Sequence, residues 1–284
     1  MSVERIAVLG AGIMGRGIAY AAAVSGYDTK LYDAAPGALE RGLGEIHKLM
    51  DQGVAAGKLA LEARNRARLA TAPALGQAVV DADLVIEAAP EDIALKCELF
   101  GQLDRLAPAH AILATNTSSL SVTEMAGATK RAAQVLGMHF FNPVHRMKLV
   151  EIVRGLETGP EAIEEASVVT MHMGKEPVVV REAPGFVTTR VNALIGNEAF
   201  RMLEEGVASA RDIDKALKLG LNHPMGPFEL VDLVGLDTRL AILEFLNKTL
   251  GERYRPSNLM VQYVKAGRLG RKSGKGVYEY EQGA

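Results

Sequence analysis

The stretch RIAVLGAGIMGRGIAYAAA, residues 5–23, decides the fold. Its first part, residues 5–10, is a short apolar run that predicts a buried strand. A cluster of glycines follows, and the small-residue pattern over residues 13–25 then predicts a helix. A strand that passes through a glycine turn directly into a helix is typical of a nucleotide-binding α/β unit.

The glycines have the spacing G-x-G-x-x-G, and each position has its own physical reason. Gly10 permits a tight turn, Gly12 lets backbone approach a pyrophosphate, and Gly15 lets the helix pack closely on the strand. The free N–H groups at the start of the helix then attract the phosphates. We therefore expect a dinucleotide to be held by the turn made of Gly10, Gly12, Ile13, Met14 and Gly15.

Asp33 is the acidic residue at the end of the second predicted strand, residues 29–33. Its carboxylate can accept hydrogen bonds from the ribose hydroxyls, and it would repel a 2′-phosphate. The predicted cofactor is therefore NAD rather than NADP.

Short Val/Ile/Leu runs alternate with helical stretches through the first half of the chain. Because the runs are continuously apolar, they predict strands covered on both faces, as in a parallel sheet with flanking helices. The fold class is therefore α/β, a Rossmann-type doubly wound sheet. The strands are predicted at residues 5–10, 29–33, 83–89, 111–116, 135–141, 149–155 and 177–182, with helices at 13–25, 36–52, 91–106 and 161–173.

The segment EAPGF, residues 182–186, breaks this alternation and marks a domain boundary. We expect a first domain over residues 1–183 and an all-helical domain over residues 184–284. Its first helix carries an apolar stripe at helical spacing, and such a domain has the apolar surface to form a homodimer. The stripe consists of Val187, Val191, Leu194, Ile195 and Met202.

Composition excludes several classes of partner. With 32 basic and 34 acidic residues among 284, the net charge of −2 provides no positive field for nucleic acid. The single cysteine, Cys97, cannot form an intrachain disulfide. No secretory signal is evident, and no apolar run approaches the roughly 18 residues of a membrane span. We expect a cytoplasmic protein that binds neither nucleic acid nor membrane.

Polar residues follow several of the predicted strands. Asn116-Thr117-Ser118-Ser119 ends one strand, and His139 and Asn142 end the next. Ligands of open α/β sheets bind outside the carboxyl ends of strands, so these groups should converge on the cofactor crevice. Glu91 and Lys96, which follow the strand at residues 83–89, should lie there too.

Glu151 lies in the strand after His139, within plausible reach of the imidazole. A carboxylate on one ring nitrogen fixes the tautomer, so the other nitrogen can take the proton of an alcohol while hydride leaves to a nicotinamide. The alternative is a satisfied His–Glu pair in the core. Beside a dinucleotide turn, the catalytic interpretation is favoured.

Six segments together resemble the L-3-hydroxyacyl-CoA dehydrogenase family, in particular its short-chain 3-hydroxybutyryl-CoA branch. They are GAGIMGRGIA, NTSSLSV, GMHFFNPVHRMKLVEIV, APGFV, HPMGPFELVDLVGLDT and GRLGRKSGKGVYEY, in this order between residues 5 and 280. The resemblance implies NAD-dependent, reversible oxidation of a (3S)-3-hydroxyacyl-CoA to the 3-oxoacyl-CoA. It also implies a role in fatty acid or butanoate metabolism.

The resemblance also implies residue roles. His139 would be the acid/base and Glu151 its orienting partner, while Ser118 would contact both substrate and nicotinamide. The remaining cofactor contacts implied are Glu91, Lys96, Asn142 and Lys272. The charged segment at about residues 36–70 would be a helical arm over CoA, with Lys48 and Lys58 as candidate phosphate contacts.

One position departs from the family pattern. After APGF the family usually has two apolar residues and then Asn-Arg, whereas this chain has Thr189 before Arg190. Three explanations stay open: the Thr189 hydroxyl replaces the amide, Asn192 one helical turn later replaces it, or the activity is weakened or moved to another substrate. Two rival functions also stay open, a dehydrogenase of a free hydroxy acid such as L-gulonate and a non-catalytic NAD(H)-binding protein.

Overall fold

A computed structural model describes residues 3–281 of the chain. It divides into two compact units, the first ending at Glu182 and the second beginning at Ala183. None of the helices among the described residues is both long and apolar enough to cross a lipid bilayer.

The first unit is built on an eight-stranded sheet with the strand order β3-β2-β1-β4-β5-β6-β7-β8. Its central strands are fully buried, as the continuous apolar runs predicted. The strands are β1 Arg5–Leu9, β2 Asp28–Tyr32, β3 Arg68–Thr71, β4 Leu84–Glu87, β5 Ile112–Thr115, β6 Val135–Phe140, β7 Leu149–Arg154 and β8 Glu176–Arg181.

Among the described residues, seven α-helices accompany this sheet. Apolar side chains of α1, α2 and α7 belong to the same buried core as the central strands. The helices are α1 Ile13–Val24, α2 Ala38–Ala55, α3 Leu61–Arg66, α4 Leu75–Val79, α5 Ile93–Leu106, α6 Val122–Gly127 and α7 Pro160–His172. The predicted helical arm corresponds to α2 and α3, and it leads into β3, a strand that the sequence did not reveal because its side chains are mostly exposed.

The sheet departs from the expected parallel pattern at one pair. β7 runs antiparallel to β6, whereas all other neighbours are parallel. The connection between them, residues 141–148, is too short for a parallel crossover, which needs about a dozen residues or more. β8 is, like β3, an edge strand. Its Val178 and Val179 are about half exposed, so this apolar run is not covered on both faces.

The second unit is helical apart from isolated bridges at Gly270, Lys275 and Glu279. The helices are α8 Thr188–Glu204, α9 Ala210–Gly220, α10 Pro227–Val234, α11 Leu236–Leu250 and α12 Asn258–Lys265. Serine side chains cap two of them: Ser209 accepts the Asp212 N–H, and Ser257 accepts the Met260 N–H. The predicted class, a Rossmann-type sheet domain followed by a helical domain, is confirmed.

The buried face of α8 differs from the predicted stripe. Val187 and Val191 are about half exposed, and the face that packs into the core of the second unit includes Ala193 and Phe200. Leu194 and Met202 of the predicted stripe do pack against this core, beside small residues that allow neighbouring elements to approach.

Two buried carboxylates anchor the C-terminal segment within the second unit. Asp232 accepts the N–H groups of Val277 and Tyr278 at 2.8 and 2.9 Å. Asp214 accepts the Phe228 N–H at 2.8 Å and the Tyr278 hydroxyl at 2.7 Å. Buried carboxylates with several donors are well satisfied, and they fix the segment that carries Lys272.

Candidate active site

The glycine turn lies where the sheet order reverses, between β1 and β4. Gly10 has φ +104°, and a Cβ there would come within 2.5 Å of the Ala88 carbonyl oxygen. A Cβ on Gly15 would lie only 1.7 Å from the Gly10 carbonyl oxygen. Gly12 is different, because a Cβ there would meet nothing within 4 Å. The protein itself therefore requires glycine at 10 and 15, while position 12 faces open space at the start of α1.

Asp33 follows β2 and holds the turn directly. One carboxylate oxygen accepts the Ala11 N–H at 2.7 Å, and the other accepts the Ala35 N–H at 2.7 Å. Each carboxylate oxygen has a further lone pair. Asp33 can therefore brace the turn and still accept hydrogen bonds from a ribose.

His139 and Glu151 face each other across the antiparallel pair β6–β7. The His139 Nδ1 lies 2.7 Å from the Glu151 Oε2. Both residues are buried, and the Phe141 ring lies 4.4 Å from the imidazole, between ring centroids. In these apolar surroundings the carboxylate orients the imidazole and can stabilise its protonated form.

A second buried ion pair lies at the end of β4. The Lys96 Nζ lies 2.5 Å from the Glu87 Oε1, and neither side chain has exposed surface. The Glu87 Oε1 also accepts the Ala89 N–H at 2.6 Å, and the Glu87 Oε2 accepts the Thr115 hydroxyl at 2.6 Å. Lys96 was expected to line the cofactor site, but its ammonium is enclosed and contacts Glu87 instead.

Glu91 is the exposed member of this group. Its Oε2 lies 3.6 Å from the Lys96 Nζ, and its side chain is 40% exposed. The Glu91 Oε1 accepts the Thr117 hydroxyl and, at 3.1 Å, the Ser118 N–H. Asn116, by contrast, braces the sheet, because its Oδ1 accepts the Phe140 N–H at 2.9 Å. The structure thus brings Glu91 and Ser118 together, with the enclosed Lys96 ammonium behind Glu91.

A cleft of about 280 Å³ lies between α1, α2 and the loop after β6. Its lining includes Arg16, Lys48, Asn142 and His145, together with Glu45. Lys48 is exposed and lies 4.0 Å from the Glu45 carboxylate.

The charge around this cleft is mainly positive. Burial lowers the pKa of His145, and the positive charges of Arg146, Lys175 and Lys58 lower it further. Lys58 lies in the turn after α2 and contributes to this lowering. Such a cleft suits an anionic group.

The second unit carries the remaining candidates. Thr189 lies in the first turn of α8 and Asn192 one turn later, and both are partly exposed. The Lys272 Nζ lies 2.6 Å from the Asp237 carboxylate, at the start of α11.

Comparison with known proteins identifies the family. Residues 5–183 match the 3-hydroxyacyl-CoA dehydrogenase NAD binding domain, and residues 185–280 match the C-terminal domain of the same family. The chain belongs to the 3-hydroxyacyl-CoA dehydrogenase family. The resemblance in the sequence and the NAD cofactor are thereby confirmed.

Members of this family are similar over the whole chain. A probable 3-hydroxybutyryl-CoA dehydrogenase of Bacillus subtilis is 47% identical, covering 99% of both chains. A 3-hydroxyadipyl-CoA dehydrogenase of Escherichia coli is 43% identical over 99% of this chain and 60% of its own length. The crystal structure of (S)-3-hydroxybutyryl-CoA dehydrogenase from Ralstonia eutropha superposes with a TM-score of 0.94, at 40% identity, covering 99% of this chain and 100% of that one.

Sequence reasoning missed two members of this dehydrogenase's polar network, Glu87 and Thr115. One signal was present, since Glu87 is a carboxylate inside the apolar run LVIEAA. A buried charge needs a partner of opposite charge. Lys96 follows nine residues later, in the next helix, and supplies that partner.

Proposed function

We propose that this dehydrogenase oxidises (3S)-3-hydroxyacyl-CoA to 3-oxoacyl-CoA reversibly, with 3-hydroxybutyryl-CoA as the substrate. The observation that carries the proposal is the buried His139–Glu151 pair. It lies near the carboxyl end of β6, which is parallel to β5 and so ends at the same sheet edge as the dinucleotide turn.

In this proposal His139 is the acid/base. Its Nδ1 contacts Glu151, so Nε2 takes the proton of the 3-hydroxyl group as hydride leaves carbon 3. The alcohol thus loses one proton to the imidazole and one hydride to the nicotinamide, which balances the two-electron oxidation. NAD, when bound, supplies the hydride acceptor. Glu151 stabilises the imidazolium that forms, and the apolar surroundings strengthen this attraction.

Other residues would hold the cofactor and the substrate. Gly12 and the start of α1 would bind the pyrophosphate, and Asp33 the adenine ribose. At the nicotinamide end we assign Glu91, Ser118, Asn142 and Lys272. Lys48 and Lys58, beside the positively charged cleft, would bind CoA phosphates.

The names of similar proteins support the acyl-CoA part of the proposal. The relatives from Bacillus subtilis and Ralstonia eutropha are named for 3-hydroxybutyryl-CoA, and the one from Escherichia coli for 3-hydroxyadipyl-CoA. The compounds in these three names are all CoA thioesters, which favours a CoA-linked substrate over a free hydroxy acid such as L-gulonate.

The direct test is NADH oxidation by the purified protein with acetoacetyl-CoA. We expect His139→Ala to lose turnover by about 10²–10⁴-fold, the usual contribution of a general acid/base, and to keep NADH binding. His110→Ala is a matched control, because His110 contacts Asp83 rather than Glu151 and its loss should leave turnover intact. Unchanged turnover in His139→Ala would refute the assignment.

Two further measurements address the alternatives. Inhibition by free CoA distinguishes a CoA-linked enzyme from a dehydrogenase of a free hydroxy acid, on which CoA should have no effect. Thr189→Asn tests the departure from the family pattern. If Thr189 or Asn192 already supplies the hydrogen bond, the variant should gain less than the roughly 10²–10³-fold that a missing oxyanion donor costs. A silent wild type rescued by asparagine would instead indicate another native substrate or role.

Our proposal includes a homodimer in the cytoplasm. Leu219 and Leu221 of the second unit are 76% and 66% exposed, apolar surface that a partner could cover. Light scattering during size exclusion would measure the mass, and a mass of one chain at micromolar concentration would contradict the dimer.

A further inference from the structure

Three charges lie in a row beside the dinucleotide turn. The Glu87 and Lys96 side chains have no exposed surface and lie 2.5 Å apart, while the Glu91 side chain is 40% exposed and lies 3.6 Å from the same ammonium. The Lys96 ammonium also donates to the Ala89 carbonyl at 3.3 Å. Its three N–H groups thus have three neighbours within this network.

This group lies on the nicotinamide side of the expected cofactor path. Asp33 follows β2 and the pyrophosphate turn follows β1. The three charges lie at the end of β4 and after it, on the other side of the point where the strand order reverses. A dinucleotide that starts at Asp33 and crosses the turn therefore extends towards Glu91 and Ser118. The loop after β4 and the glycine turn after β1 are in close contact, since a Cβ on Gly10 would meet the Ala88 carbonyl oxygen.

We propose that Glu87 is a positioning residue that sets the preference of this enzyme between oxidised and reduced NAD. Its negative charge cancels that of Lys96, so the exposed Glu91 carboxylate acts on the crevice as a net charge of −1. The proposal rests on the proposed function, in which the nicotinamide lies near Glu91.

The reason is the charge of the nicotinamide ring. The ring is positively charged in NAD⁺ and neutral in NADH, so a net negative charge nearby favours the oxidised form. Without Glu87, the Lys96 ammonium would neutralise Glu91 and remove this preference. At an effective dielectric constant of about 20, removing one unit charge on the order of 10 Å from another changes such a ratio of affinities by roughly tenfold.

The experiment measures the dissociation constants of NAD⁺ and NADH for the full chain, without acyl substrate. NADH binding is followed by its fluorescence and NAD⁺ binding by competition. In Glu87→Gln we expect Kd(NAD⁺)/Kd(NADH) to rise about tenfold. The double variant Glu87→Gln/Lys96→Met restores the net charge of −1, so its ratio should return to the wild-type value.

A purely structural role gives a different result. Both dissociation constants would then rise together in Glu87→Gln and their ratio would stay constant, which would overturn the proposal. A ratio that stays shifted in the double variant would also overturn it, because charge would not be the cause.

Glu87→Gln removes the nearer of the two carboxylates beside the buried Lys96 ammonium, which destabilises the folded protein. If this variant fails to fold, the ratio Kd(NAD⁺)/Kd(NADH) measured for the wild type, the double variant and Glu91→Gln tests the proposal instead. Glu91→Gln removes the exposed charge itself and should raise the ratio about tenfold, while the double variant keeps the wild-type ratio. An unchanged ratio in Glu91→Gln would overturn the proposal. Failure of the proposed function would show separately, as absent turnover of acetoacetyl-CoA with both cofactor forms still bound.

Discussion

The dinucleotide turn allows cofactor binding and protein stability to be separated by two alanine substitutions. A methyl group on Gly12 meets no protein atom within 4 Å, whereas one on Gly15 lies 1.7 Å from the Gly10 carbonyl oxygen. We therefore predict that Gly12→Ala loses cofactor affinity and keeps its stability. Gly15→Ala should lose both.

The stability changes follow from local geometry. Gly12 is the N-cap of α1 with φ −69° and ψ −173°, which alanine adopts without strain. Alanine is a poorer cap than glycine, but it also restricts the unfolded chain by about 0.4–1 kcal/mol, so the net change should be under about 1 kcal/mol. At Gly15 the methyl is 3.0 − 1.7 = 1.3 Å short of the closest contact that Cβ atoms make, and backbone must move. We expect a loss of about 3 kcal/mol there, or about 6–12 °C in Tm.

The affinity change follows from the phosphate contacts. Losing one charged hydrogen bond between the pyrophosphate and the start of α1 costs about 1.5–3 kcal/mol, or about 10- to 100-fold in Kd. At an NADH concentration about 100 times the wild-type Kd, the ligand adds about 2.7 kcal/mol of stability. A 100-fold weaker variant would gain only about 0.4 kcal/mol at the same concentration.

Thermal melting with and without NADH measures both quantities at once. For Gly12→Ala we expect the wild-type Tm without ligand and little shift with NADH. Wild-type NADH affinity in Gly12→Ala would refute the idea that the pyrophosphate passes over this residue. A wild-type Tm in Gly15→Ala would refute the packing argument.

Three further predictions concern single carboxylates. Asp33→Ala should weaken NADH binding and reduce discrimination against NADPH, since a repelling charge is removed; the ratio of the two Kd values checks this. Glu151→Gln should lower kcat by about tenfold or more with little change in NADH affinity, because the imidazole loses its charged partner. Burial raises the pKa of Asp83, but hydrogen bonds from Arg5 and His110 lower it by a larger amount, so that the pKa lies well below its usual range. The stabilisation by the ionised Asp83 carboxylate is therefore complete above the unfolded pKa of about 3.9 and is lost as pH falls from there through the folded pKa. Asp83→Asn should be about 1–3 kcal/mol less stable at pH 7. Denaturant titrations at several pH values should show a shallower loss of stability in acid for this variant than for the wild type.

The sequence predicted the sheet well because the apolar pattern of buried strands is local. Seven of the eight strands were predicted, and six of these contain short runs of Val, Ile and Leu. The turn at Gly10 identified the first of them. β3 was missed because its four residues, Arg68–Thr71, contain no such run. The strand β7 was predicted but its antiparallel direction was not, since strand direction depends on whether the connecting loop is long enough for a crossover.

The site was only partly predictable, for a different reason. His139 and Glu151 were paired from their places in adjacent strands, and the register puts them opposite each other. The actual environment of Lys96 was not accessible in this way, because a lysine on a helix normally reaches solvent. Its burial depends on Glu87, which looked like one polar residue in an apolar strand.

Glu87 and Glu151 illustrate how this fold keeps charges inside a sheet. Each is a carboxylate in a central strand, and each has a basic group of the same domain within 2.7 Å. Burying an unpaired carboxylate would cost several kcal/mol, so each pair stabilises a charge that the apolar strand alone could not hold. The two pairs differ in their basic partner: the Lys96 ammonium is enclosed by its own network, whereas the proposed function assigns proton exchange to the second ring nitrogen of His139. In the two proposals, such a pair serves fixed electrostatics at β4 and proton transfer at β6, and the basic partner, lysine or histidine, distinguishes the two roles.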